Sequence, residues 1–162
     1  APALASFQNV KRRMEVRARV TLPASQPGAS GSAPVTIYDD FAHHPTAIRT
    51  TINGLRRQVG AARILAVFEP RSNTMKLGAM KAQLPCSLES ADLAFCNRAG
   101  LDWNPGEALA SMGERAQVAD SIDELVSQIV ARVRGGDHIV CMSNGGFGGI
   151  HDKLLRALAA KS

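Results

Sequence analysis

Three short, strongly apolar runs constrain this chain more than any other feature: Ile64–Phe68, Ala91–Cys96 and His138–Met142. Runs of five or six such residues suit strands covered on both faces. Between them lie segments of helical period. Pro45 to Val59 carries Ile48, Ile52, Leu55 and Val59 at helical spacing, and Pro45 suits a first turn, where its missing N–H costs nothing. Ser121 caps a segment running through Val133, with Ile122, Leu125, Val126, Ile129, Val130 and Val133 on one face. A final helix turns Ile150, Leu154, Leu155 and Leu158 toward a core. Shorter elements are expected as strands at 16–20, Val35–Tyr38 and Gln117–Val118, and as helices at Thr74–Leu84 and Gly106–Met112. Residues 22–34, rich in Pro, Gly, Ser and Ala, read as a flexible loop.

Strand and helix thus alternate about every 25–30 residues, which is the α/β pattern. The expectation is a Rossmann-like, doubly wound, mostly parallel sheet of about six strands with helices on both faces. With neither an internal repeat nor a second core, residues 1–162 read as one domain. The net charge of +5 is spread along the chain, and aromatics are 4% of residues. That argues against a nucleic-acid platform and fits a site for small anions. No run approaches the roughly 18 apolar residues of a membrane span. Cys86, Cys96 and Cys141 make no CxxC pair; Cys96 and Cys141 sit in apolar runs and are expected to be buried thiols, and the odd count favours a reducing cytoplasm.

Doubly wound sheets bind ligands outside the carboxyl ends of their strands. Three segments fall there. Asp39-Asp40-Phe41-Ala42-His43-His44-Pro45-Thr46 gathers carboxylates and imidazoles at a helix start. A carboxylate there can accept from ribose hydroxyls; equally, Asp39 or Asp40 could simply cap the helix. The adjacent histidines lack further ligands at metal-binding spacing, so no metal is expected. Glu69-Pro70-Arg71-Ser72-Asn73-Thr74 follows a buried strand. Arg71 offers a planar fork for a carboxylate or phosphate, while Ser72, Asn73 and Thr74 could equally be N-cap residues. Ser143-Asn144-Gly145-Gly146-Phe147-Gly148-Gly149 joins a strand to a helix, and its glycines allow close backbone approach to an anion at the helix start. A tight turn without a ligand is the alternative.

Together these segments resemble the Mur ligase family. Phe7-Gln8-Asn9-Val10-Lys11-Arg12-Arg13-Met14-Glu15 is similar to the stretch joining that family's central ATPase domain to its C-terminal domain. Asp40-Phe41-Ala42-His43-His44-Pro45 is similar to its Asp-Tyr-Ala/Gly-His-x-Pro signature. Phe68 to Lys76 and Ser143 to His151 resemble the branch that attaches L-Ala-γ-D-Glu-meso-diaminopimelate to UDP-N-acetylmuramate in peptidoglycan recycling. The resemblance implies a cytoplasmic ligase in which an ATP-derived acyl phosphate is displaced by the peptide's amine. It also implies roles. Arg13 would reach the γ-phosphate, Asp40 the ribose, and His43 the nucleotide phosphates. Arg71, Ser72, Asn73, Asn144, Gly145, Gly146 and, more weakly, His151 would hold the peptide. No Gly-x-x-x-x-Gly-Lys-Ser/Thr loop is present, so ATP and Mg²⁺ would sit mainly on a missing central domain. The start Ala1-Pro2-Ala3 is consistent with a chain that begins inside a longer protein, with 1–15 the end of a linker. The isolated chain is expected to be inactive. Its partners would be its own missing N-terminal and central domains, with neither nucleic acid nor membrane. Two alternatives remain: the branch that adds L-alanine to the same sugar nucleotide, and a free-standing nucleotide-binding module.

Overall fold

Alternation of side chains along each strand decides where the two layers of core lie. In the computed structural model, which describes residues 14–23, 32–42, 45–69, 83–98, 105–143 and 147–161, six strands form one sheet. They are β1 (Glu15–Pro23), β2 (Ser32–Asp40), β3 (Ile64–Phe68), β4 (Leu93–Asn97), β5 (Ala116–Ala119) and β6 (His138–Met142), in the spatial order β1-β2-β6-β3-β4-β5. The four contacts from β2 to β5 across the sheet are parallel; β1 lies antiparallel on the edge. The expectation of a mostly parallel, six-stranded sheet therefore holds.

Among the described residues five α-helices accompany the strands: α1 (Pro45–Val59), α2 (Leu84–Ser87), α3 (Pro105–Ala108), α4 (Ile122–Arg132) and α5 (Ile150–Lys161). One core layer joins Val35, Ile37, Leu65, Val67, Phe95, Ile139 and Cys141 of the sheet to α4 and α5. The opposite layer joins Tyr38, Ile64, Ala66, Phe68, Ala94, Cys96, Val140 and Met142 to Ile48, Ile52 and Leu55 of α1 and to Leu84 and Leu88 at α2. This strict sorting by odd and even position follows from the two-residue period of a strand. It also explains why the central strands read as unbroken apolar runs: both faces are covered.

The boundaries depart from the sequence reading in instructive places. β1 and β2 run to nine residues each, beyond the expected 16–20 and Val35–Tyr38. They pair with each other, and backbone pairing extends them into Ser, Pro and charged positions that composition counts as loop. The expected helix at Thr74–Leu84 lies, apart from its last two residues, outside the described part. Gly106–Met112 resolves into α3 and a 3-10 segment at Ala110–Arg115, with a break at Gly113 (φ 59°). Ser121 caps α4 as expected, its hydroxyl accepting from the Glu124 N–H at 3.2 Å. Leu155, expected to face the core, is 38% exposed, whereas Ile150, Leu154 and Leu158 are buried. The four-residue step of α5 leaves Leu155 on the rim.

Candidate functional site at the carboxyl edge

The ends of β2, β6 and β3 form a continuous row. Asp40 is registered against Met142, and Met142 against Phe68. The ladder then runs one bond further on both sides: Ser143 N–H donates to the Asp40 carbonyl at 3.2 Å, and Glu69 N–H to the Met142 carbonyl at 3.3 Å. Three carboxylates lie buried along this edge, those of Asp39, Asp40 and Glu69. Each has a polar partner, as burial of a charged group demands.

Asp39 faces α5. Its Oδ2 accepts from Arg17 Nη1 at 3.3 Å, and its Oδ1 lies 3.3 Å from His151 Nε2. Arg17 is the extra residue of a β-bulge in β1, where pairing jumps from Val16–Tyr38 to Ala18–Ile37. Bulges re-aim side chains in this way. Asp40 faces the other layer, where Thr51 Oγ1 of α1 donates to its Oδ2 at 2.9 Å. Glu69 Oε2 accepts from Ser143 Oγ at 2.9 Å, both residues being buried. Beneath this row the thiols of Cys96 and Cys141 are pushed upward, by burial first and then by the neighbouring charges of Glu69 and Asp39 respectively. For Cys141 the charge of Arg17 opposes that rise. Both thiols are fully buried and uncharged, as their apolar setting led one to expect.

The last connection ends with two adjacent glycines in left-handed conformations, Gly148 (φ 58°) and Gly149 (φ 72°). At Gly148 a Cβ would come within 2.7 Å of Ile122 Cγ1, so this glycine is required by the packing of the turn against α4. Phe147, also at positive φ, is fully buried beside it. These positions anchor the turn, and the start of α5 beyond it places His151 over Asp39.

A profile of the family described as "Mur ligase, glutamate ligase domain" matches residues 12–145. The chain belongs to the Mur ligase family. It is 48% identical, over its whole length, to the UDP-N-acetylmuramate–L-alanyl-γ-D-glutamyl-meso-2,6-diaminoheptandioate ligase of Escherichia coli strain K12. It is 44% identical over 98% of its length to the Haemophilus influenzae enzyme of the same name. In both cases it spans 33% of the relative. The crystal structure of a murein peptide ligase from Psychrobacter arcticus 273-4 superposes with a TM-score of 0.78 at 39% identity, covering 98% of this chain and 32% of that one.

Of the residues singled out from the sequence, Asp40 and His151 are described, and they lie on opposite faces of the sheet edge. Arg13, His43, Arg71, Ser72, Asn73, Asn144, Gly145 and Gly146 lie outside the described residues. Asp40 accepts from Thr51, a threonine well inside α1. His151 is 8% exposed and directed at Asp39. A carboxylate at the end of β2 has the chemistry to accept from sugar hydroxyls. Among the described residues no group of three His, Cys, Asp or Glu side chains could hold a metal ion, so a divalent cation would need ligands from elsewhere. Nor is any helix among them long and apolar enough to cross a membrane. Sequence reading missed Arg17, Thr51 and the Glu69–Ser143 pair. Only Glu69 carried a signal, as a carboxylate directly after a buried apolar run.

Proposed function

We propose that this chain is the C-terminal domain of a cytoplasmic, ATP-dependent ligase that joins L-Ala-γ-D-Glu-meso-diaminopimelate to UDP-N-acetylmuramate through an acyl phosphate, in peptidoglycan recycling. The observation that carries this reading is the 48% identity, extending from end to end of the chain, to a ligase named for those two substrates. The missing N-terminal and central domains would bind the UDP-sugar and most of the ATP–Mg²⁺, with residues 1–15 the end of the linker.

In this reading the carboxyl edge closes over the reaction centre and excludes water, which would otherwise hydrolyse the acyl phosphate. Arg13 neutralises charge on the γ-phosphate, and His43 contacts the nucleotide phosphates. Asp40, oriented by Thr51, accepts from the ribose. Arg71 pairs with a peptide carboxylate, and Ser72, Asn73, Asn144, Gly145 and Gly146 complete the peptide's surroundings. His151, buried against Asp39 at the start of α5, adds a weaker contact to the peptide. Arrangement and charge neutralisation, rather than a covalent protein intermediate, supply the catalysis.

The test is ADP release by the ligase that carries this chain, given UDP-N-acetylmuramate with either the tripeptide or L-alanine. Release should depend on the tripeptide and stay at blank level with L-alanine. Release driven by L-alanine alone would assign the chain to the alanine-adding branch. The 162-residue chain by itself should release no ADP above blank.

A further inference from the structure

We infer that Thr51 is a positioning residue whose hydroxyl sets how strictly the ligase selects ATP by its ribose hydroxyls. This rests on the reading above, in which Asp40 accepts from the ribose, and adds to it a selectivity for the nucleotide sugar and the residue that controls it. Thr51 Oγ1 donates to Asp40 Oδ2 at 2.9 Å, joining the middle of α1 to the last residue of β2.

Two neighbouring threonines of α1 use their hydroxyls differently. Thr50 Oγ1 donates back to the Thr46 carbonyl at 3.0 Å, the local bond open to any threonine inside a helix. Thr51 donates instead to a strand end. A hydroxyl carries one proton, so this donation excludes the local one. Both partners are held rigidly. Ile48, Ile52 and Leu55 are buried and root α1 in its core layer. Asp40 is buried too, and its carbonyl accepts from Ser143 N–H at 3.2 Å where β2 lies in register with β6. The main chain of Asp40 is thus fixed by β6 and its side chain by α1.

That bond decides the direction of the carboxylate. The terminal torsion of an aspartate is broad, so a fixed main chain alone leaves the plane of its oxygens loosely set. With Oδ2 held by Thr51 the plane is defined. A carboxylate can accept up to about four hydrogen bonds, so a bond to Thr51 is compatible with accepting from a ligand hydroxyl as well. A neutral hydroxyl also orients the acid without cancelling its charge, and bonds to a charged acceptor are roughly twice as strong as neutral ones. A site built to hydrogen-bond a substrate hydroxyl rejects the analogue that lacks it. The strength of that rejection depends on how well the acceptor is aimed, and here the aim comes from Thr51.

Kinetics of the full ligase with ATP and with dideoxy-ATP, which lacks both ribose hydroxyls, test this. The parent enzyme should have a KM about tenfold lower for ATP than for the analogue, the worth of one hydrogen bond to a charged group. Thr51→Val keeps the shape of the side chain and removes the hydroxyl. It should raise KM for ATP toward that of the analogue, and leave KM for the analogue, the tripeptide and UDP-N-acetylmuramate at parent values. Thr51→Ser, which keeps the hydroxyl, should retain the parent preference. A purely structural role would lower the melting temperature of Thr51→Val and leave its preference for ATP intact, and that outcome overturns the inference. If Thr51→Val does not fold, Thr51→Ala decides; if neither folds, the role is structural and the inference fails. Asp40→Ala should abolish the preference. If it does and Thr51→Val does not, the ribose contact stands and the positioning role alone falls. A parent enzyme without tripeptide-dependent ADP release, or with such release but no preference for ATP, removes the underlying reading and the inference with it.

Discussion

Asp137 and Asp40 are both buried aspartates on neighbouring parallel strands, one just before the start of β6 and one at the end of β2, but their partners differ. Asp137 is gripped by Arg63, whose Nε and Nη2 donate to its two oxygens at 3.0 and 2.7 Å, and by the Arg134 N–H at 2.8 Å. Arg63 also donates to the Arg132 carbonyl at 2.7 Å. Nearby at the same edge, Asp92 takes the Arg56 guanidinium and the Ile64 N–H. The forked Arg63–Asp137 pair and the single Arg56–Asp92 contact close the amino edge with charge-assisted bonds. At the carboxyl edge two of the three buried acids meet hydroxyls, Asp40 that of Thr51 and Glu69 that of Ser143, while Asp39 meets Arg17 and His151. Hydroxyl partners orient a carboxylate without neutralising it. In the proposed function the amino edge holds the fold, and the carboxyl edge presents directed polar groups to a ligand.

The sharpest way to break this contrast is Asp137→Ala. It strands the Arg63 guanidinium and the Arg134 N–H, and should lower stability by about 3 kcal/mol, the low end for a broken buried pair because Arg63 is partly exposed. Urea unfolding measures the loss. In the full ligase the variant's tripeptide KM should stay at the parent value at a temperature where it is folded. A raised KM without lost stability would erase the distinction between the edges.

A smaller effect comes from the Tyr38–His138 pair in the amino half of the sheet, where the hydroxyl and Nδ1 are 2.9 Å apart and the rings stack. Burial lowers the His138 pKa, partly offset by Asp137 and reinforced by Arg19. The folded protein therefore resists a proton that the unfolded chain accepts. Stability from this site is complete above the ordinary histidine value near 6.5 and falls as pH drops below it toward the folded value. Urea unfolding at pH 7.5 and 5.5 should show this decline, reduced in His138→Phe. The same slope in both proteins would place the titration elsewhere.

The two edges also differed in how far the sequence revealed them. The sheet was legible because strands buried on both faces need continuous apolar runs, and Ile64–Phe68 and His138–Met142 have them. The cap at Ser121 was legible because its partner is three residues away. The length of β1 and β2 was not, since it comes from pairing between segments that composition does not distinguish from loop. At the site, Asp40 and His151 could be chosen as polar residues at strand and helix ends. Their pairing could not: that Asp40 meets Thr51 and His151 meets Asp39 is set by which side of the sheet each residue faces and which helix covers it. The Glu69–Ser143 bond joins residues 74 positions apart, a separation no local pattern encodes.

The most direct test of a carboxyl-edge peptide site is an amide NMR titration of this chain with L-Ala-γ-D-Glu-meso-diaminopimelate, with L-alanine and ATP–Mg²⁺ run in parallel. The account predicts saturable shifts with the tripeptide at Glu69, Arg71–Asn73 and Ser143–Gly146, none there with L-alanine, and none at Arg63, Asp92 or Asp137. Saturable tripeptide shifts centred on the amino edge, with the carboxyl edge silent, would contradict it.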